Sequence, residues 1–145
     1  MGIYIDLGKL NGPFYSGFAW DTEIYFFGGR HLFGGVDLEL VFAGPDSDYW
    51  DYTKSHDVYF LDANFVLGWS CNIWKFRPYV MGGLGYYQSF VEKAVDTQPK
   101  GFTWDVRLGI DLAFKHFAIG GQYKLKDYLK SGYVDVWTVS FGWTF

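Results

Sequence analysis

Nine charged residues in this 145-residue chain stand out because apolar neighbours flank them or because they recur every second position: Asp6, Asp37, Glu39, Asp62, Asp105, Arg107, Asp111, Lys124 and Lys126. A spacing of two puts side chains on one face of an extended strand. Charges drawn out of bulk water must be paired or hydrated. The set, with Asn64 and Gln122 between its members, therefore points to an internal network of six acids and three bases. Two kinds of chemistry follow. One is a structural salt-bridge network that plugs an interior; the other is a gate that passes water or small ions when Arg107 or a lysine changes partner. The structural plug is the expectation. An acid excess also admits a bound cation, but strand-borne carboxylates of unknown register do not define a site. No metal and no cofactor is expected.

Catalytic candidates are few. Ser55-His56-Asp57 supplies the residue types of a hydrolytic triad, yet adjacent loop residues rarely converge with an oriented base. His31 and His116 fall in short turns, where a solvated histidine is the ordinary case. The chain is expected not to be an enzyme. The segment Ala43 to Asp57 combines Asp46, Asp48, Asp51 and Asp57 with Tyr49, Trp50 and Tyr52, which are candidates for binding from a loop on a rigid scaffold. The competing account of the same rings is a headgroup-level girdle. A net charge of −4 without a basic cluster leaves nucleic-acid binding unsupported. Cys71 is the single cysteine and reads as a small buried or lipid-facing residue.

The elements that carry these residues are strands. Phe102, Trp104, Val106, Leu108, Ile110, Leu112 and Phe114 alternate with Thr103, Asp105, Arg107, Gly109, Asp111 and Ala113, a period of two across the whole run. The final segment repeats it, with Trp137, Val139, Phe141, Trp143 and Phe145 on one face. Further strands are predicted at Gly34 to Phe42 and Val58 to Trp69. Less regular ones are predicted at Ile3 to Leu10, Thr22 to Gly29, Pro78 to Phe90 and Phe117 to Tyr128. Long connections at Asn11 to Asp21, Ala43 to Asp57 and Val91 to Gly101, with Leu129 to Tyr133 a shorter member of that set, alternate with short ones near Arg30 to Phe33 and at Lys115-His116. Ser70 to Arg77 is intermediate. The expected fold is one all-β domain over residues 1–145, an eight-stranded antiparallel up-and-down barrel.

Which way the apolar face points decides between a membrane barrel and a soluble, lipocalin-like one. Mean hydropathy is −0.02 and no helical span of about 18 apolar residues exists. Aromatic residues nevertheless reach 23%. An eight-stranded barrel has an interior just wide enough for side chains to fill, so these rings cannot all lie inside. The opposite face is small and polar, including Gly8, Gly35, Gly68, Gly83, Gly85, Gly109, Gly120 and Gly142. Apolar outside and polar inside is the pattern of a barrel that crosses a membrane. Trp69, Trp74, Trp143 and Phe145 are expected to form a girdle at one rim, and Trp20, Tyr49, Trp50, Tyr52, Trp104 and Trp137 one toward the other.

The stretch Arg77-Pro78-Tyr79-Val80-Met81-Gly82-Gly83-Leu84-Gly85-Tyr86 and the ending Val139-Ser140-Phe141-Gly142-Trp143-Thr144-Phe145 resemble the fifth and last strands of small outer-membrane proteins of the OmpA/OmpX and opacity-protein type. The resemblance implies a monomeric barrel in a bacterial outer membrane, in contact with its lipids and lipopolysaccharide. It implies that Phe141, Trp143 and Phe145 resemble the signal read by the barrel-assembly machinery. It implies short turns in the periplasm, long loops outside, and a host or surface ligand as a partner for those loops. Some barrels of this size modify lipid A, which makes a lipid A-modifying enzyme the main rival, though that reaction needs an apolar bore. Met1-Gly2-Ile3-Tyr4-Ile5-Asp6 lacks the features of a secretory signal and is read as the start of a mature chain with an added initiator Met. A cytosolic or designed chain is the alternative.

Overall fold

A computed structural model describes residues 2–11, 15–29, 31–45, 58–91, 100–128 and 132–144. Eight strands run in order: β1 Gly2–Asn11, β2 Tyr15–Gly28, β3 Leu32–Pro45, β4 Val58–Ser70, β5 Phe76–Val91, β6 Lys100–Ala113, β7 Phe117–Tyr128 and β8 Gly132–Thr144. Each pairs antiparallel with the next, and β1 pairs with β8, closing the barrel. Closure pairs the edge strands that an open sheet would expose. At 10 to 16 residues every strand reaches the length of about 9–11 that a tilted crossing of a bilayer requires.

Alternation dictates the two faces. On β4, Phe60, Asp62, Asn64 and Val66 are buried while Tyr59, Leu61, Phe65 and Leu67 are exposed. The same inversion runs around the barrel, so the large apolar side chains lie on its outside, up to Leu84 at 72% exposure. Edge-to-face pairs Phe42–Tyr59 and Tyr86–Phe102 lie toward the end where residues 46–57 and 92–99 connect strands, and stacked Phe114–Phe117 lies at the other.

Several strand limits differ from those predicted. β2 begins at Tyr15 and not Thr22, so residues 15–21 belong to a strand, and only residues 12–14 join β1 to β2. Trp20 accordingly lies within β2, on the outer face, and not in a rim loop. β3 and β8 are also longer than predicted, and residues 129–131 join β7 to β8. The long connections thus reduce to 46–57 and 92–99. The β2–β3 register shifts between Tyr25 and Phe27. An extra residue there explains why Tyr25-Phe26-Phe27 carries rings without a period of two. At the same end as the β2–β3 turn, Ile73 and Phe76 exchange backbone hydrogen bonds of 2.8 and 3.0 Å around Trp74-Lys75. Trp74 takes φ 59° there, and Lys75 Nζ sits 5.2 Å from its ring centroid. Cys71, beside that turn, is half-buried.

Candidate functional site

The lumen is filled in three storeys. At the end of the 46–57 and 92–99 connections, Leu10, Ala19, Val41, Phe60, Tyr87, Val134 and Val136 form an apolar cluster inside the barrel. They occupy inward positions of β1, β2, β3, β4, β5 and β8, so the strands converge on them from almost every side. Near the opposite end, Tyr4, Tyr25, Phe33 and Tyr79 make an edge-to-face chain with centroids 5.1 to 6.2 Å apart. Three inward glycines make room for these rings. A β-carbon on Gly142 would enter the Tyr4 ring, one on Gly109 the Tyr79 ring, and one on Gly68 the Phe33 ring. Large rings inside small neighbours fill the bore without forcing the strands apart.

Between these layers lies the charge network. Arg107, on β6, is fully buried. Its Nε donates to Asp105 Oδ1 at 2.5 Å and its Nη2 to Asp105 Oδ2 at 2.9 Å. Nη1 donates to Glu23 Oε1 at 2.5 Å, Nη2 also reaches Asp37, and Asp21 Oδ2 lies 3.8 Å away. One guanidinium therefore ties β6 to β2 and β3 across the bore, using the planar fork that lets arginine serve several carboxylates at once. Lys124 Nζ donates to Asp21 and lies 3.3 Å from Glu39 Oε1. Lys126 Nζ donates to Glu39 Oε2 at 2.5 Å and to Asp62 Oδ2 at 2.7 Å. Asn64 Nδ2 donates to Asp37 at 3.2 Å, Gln122 Nε2 to Glu23 at 3.5 Å, and the Tyr25 hydroxyl to Glu23. Beside the aromatic layer, Arg77 donates to Asp111 Oδ2 from Nε at 3.2 Å and Nη2 at 2.5 Å, and Nη2 also reaches Tyr4.

The structure thus places Asp6, Asp37, Glu39, Asp62, Asp105, Arg107, Asp111, Lys124 and Lys126 inside the barrel, all buried. It separates them into groups. Asp111 pairs with Arg77 and not with the Arg107 centre. Asp6 enters none of the ion pairs among the described residues. Asp21 and Glu23 belong to the network although the sequence reading assigned them to a loop and to an unassigned strand position. Their spacing of two, between Trp20, Thr22 and Ile24, carried the signal. Arg77 was likewise assigned to a turn. The described lumen therefore holds eight carboxylates, Asp6, Asp21, Glu23, Asp37, Glu39, Asp62, Asp105 and Asp111, against the four cations Arg77, Arg107, Lys124 and Lys126.

Phe141 and Trp143 lie on the outer face of β8, half-exposed. Phe145, Tyr49, Trp50, Tyr52 and the run Ser55-His56-Asp57 lie outside the described residues. His31 and His116 are exposed at the short-turn end. The His31 ring stacks against Trp69 at 6.0 Å, and its Nδ1 lies 3.1 Å from the Ser70 carbonyl oxygen. Neither histidine reaches the lumen carboxylates.

No family model and no curated protein matches the chain in sequence. Solved structures do match in fold. Neisserial surface protein A aligns at a TM-score of 0.69 and 12% identity over 99% of this chain and 95% of that one. The N-terminal β-barrel domain of OprF from Pseudomonas aeruginosa aligns at 0.61 and 15% over 98% and 97%. The outer membrane enzyme PagL aligns at 0.60 and 11% over 100% of both chains. At such identities the likeness is one of architecture: the chain has the fold of the small eight-stranded outer-membrane barrels.

Proposed function

We propose that this chain, given the fold of the small eight-stranded outer-membrane barrels, resides in a bacterial outer membrane as a sealed, non-enzymatic barrel. Its role on that reading is to hold the 46–57 and 92–99 connections at the cell surface for contact with an external ligand. The observation that carries the reading is the filled lumen. An apolar layer, a buried ion-pair layer and an aromatic layer stand in series, with Arg107 bridging three strands at the centre. The outward belt of Leu, Ile, Val, Phe and Trp supports a lipid environment, since a contiguous apolar surface of that extent needs a partner phase. Trp74 and Lys75, projecting from the β4–β5 turn, fit the headgroup level, where amphipathic rings and cations anchor.

Planar-bilayer recordings test the seal. Wild type is expected to show no openings, and Arg107→Ala none either, because the apolar layer remains. Steady openings in wild type would refute the seal, and openings only in Arg107→Ala would favour a gate. An enzymatic alternative, lipid A modification, has a structural neighbour that is an enzyme, the outer membrane enzyme PagL. Against it, both described histidines lie at the exposed short-turn end, and the middle of the bore is charged where an acyl chain would need an apolar slot. Mass spectrometry of lipid A incubated with the refolded barrel is expected to show unchanged acylation; loss or transfer of a chain would overturn the non-enzymatic reading.

A further inference from the structure

The lumen carboxylates are not all served. Asp6 is 1% exposed, and neither of its oxygens has a hydrogen-bond partner among the described residues. Antiparallel register sets it opposite Asp21 on β2 and opposite Ser140 on β8. Other buried oxygens without hydrogen-bond partners lie around the bore; those on β2, β7 and β8 are Asp21 Oδ1, Gln122 Oε1, Thr138 Oγ1 and Ser140 Oγ. The Ser140 hydroxyl approaches Asp6 across the strand pair without an aligned hydrogen bond. Gln122, through its amide nitrogen, is already turned toward Glu23. Buried acceptors with nothing donating to them are rare and costly. Among the described lumen carboxylates, Asp6 alone has both oxygens in that state.

Two carboxylate triplets in the lumen could bring one oxygen from each member within 4.8 Å of the others: Asp6, Asp21 and Glu23, and Asp21, Asp37 and Glu39. The second is served by the chain's own cations. Lys124 lies within reach of all three of its members and Arg107 contacts Asp37. In the first, Arg107 contacts Glu23 and Lys124 contacts Asp21, and no ammonium or guanidinium is in ion-pair contact with Asp6.

We propose that Asp6, Asp21 and Glu23 hold a calcium-type divalent cation inside the barrel, with Gln122 and Ser140 as neutral oxygen donors. The donor set is all oxygen, mixes carboxylate, amide and hydroxyl groups, and offers no nitrogen or sulfur. That chemistry selects a hard cation that accepts six to eight oxygens in adaptable geometry. The ion joins β1, β2, β7 and β8, and so cross-links the two ends of the sheet beside the seam where β1 meets β8. The site rests on the sealed lumen argued above, but the two readings fail separately. A conducting barrel that still binds the ion refutes only the seal, and a silent barrel without the ion refutes only the site.

The test uses the full chain refolded into lipopolysaccharide-free micelles with either calcium or EGTA. Equilibrium dialysis against calcium is expected to find about one ion per folded barrel. Calcium is also expected to raise the urea midpoint relative to EGTA. Asp6→Asn, which keeps the side-chain shape, should lower the calcium affinity at least tenfold while the protein stays heat-modifiable on a gel. Ser140→Ala carries the same comparison if Asp6→Asn does not refold. Lack of bound calcium in folded wild type overturns the proposal, as does Asp6→Asn binding calcium as tightly as wild type.

Discussion

Replacing Arg107 by alanine is the perturbation to which the lumen should respond most strongly. Arg107 is fully buried and donates to Asp105, Glu23 and Asp37, so its removal leaves three carboxylates short of their shared cation. Lys124 already serves Asp21 and Glu39 and, at 3.9 Å from Asp37, replaces none of the contacts to Asp105 and Glu23. Deleting one partner of a buried ion pair costs about 3–5 kcal/mol. A second route to the magnitude agrees. The variant can escape an unpaired buried charge by binding a proton, and protonating a carboxylate of ordinary acidity at pH 7 costs about 4 kcal/mol. Arg107→Ala is therefore expected to lose about 3–5 kcal/mol at pH 7. Because the escape route consumes a proton, the loss relative to wild type must shrink as pH falls, by about 1.4 kcal/mol per unit for each proton bound. Urea titrations in phospholipid vesicles, read by tryptophan fluorescence and checked by gel mobility, measure both quantities. A loss under about 1 kcal/mol, or one equal at pH 7 and pH 5, would show that Arg107 is not the buried keystone its contacts indicate.

Three further perturbations address other layers. Leu84→Arg places a charge on the outermost apolar face and should cost about 2–4 kcal/mol in vesicles if Leu84 faces the bilayer midplane; an unchanged urea midpoint would argue against a lipid-facing belt. Gly142→Val drives side-chain atoms into the Tyr4 ring and should cost about 1–3 kcal/mol by overpacking, measured in the same titration, with a neutral result counting against the ring-over-glycine packing. Deleting residues 46–54 leaves every strand pairing of the described residues in place. The shortened chain should keep its heat-modifiable mobility, and loss of folding would mean that this connection does more than link β3 to β4.

The parts of this fold that could be read from residues were those where alternation is strict. Phe102 to Phe114 and the last strand announce themselves because every second residue is large and apolar and the intervening ones are polar or small. β2 was harder for two physical reasons. A bulge at Tyr25/Phe27 breaks the period of two, and Gly17, Phe18 and Ala19 mimic a loop although they pair with β1 and β3. Misplacing that strand hid Asp21 and Glu23, two of the five carboxylates that Arg107 and Lys124 serve. The layering of the lumen was not legible at all. Val41, Val136 and Leu10 are apolar residues on the face expected to be polar, and only the register reveals that they share a level. Tyr4 and Tyr79 pass for girdle rings until their glycine partners across the strand are known.

The apolar layer at the long-connection end separates two tasks that a single polypeptide must perform. Sealing, on the reading proposed above, rests on Leu10, Val41, Phe60, Tyr87 and Val136, all inside paired strands. On that reading, changes of length or composition in residues 46–57 or 92–99 leave these side chains on their strands. A lineage with such a barrel can exchange its connecting segments while strand pairing is inherited intact.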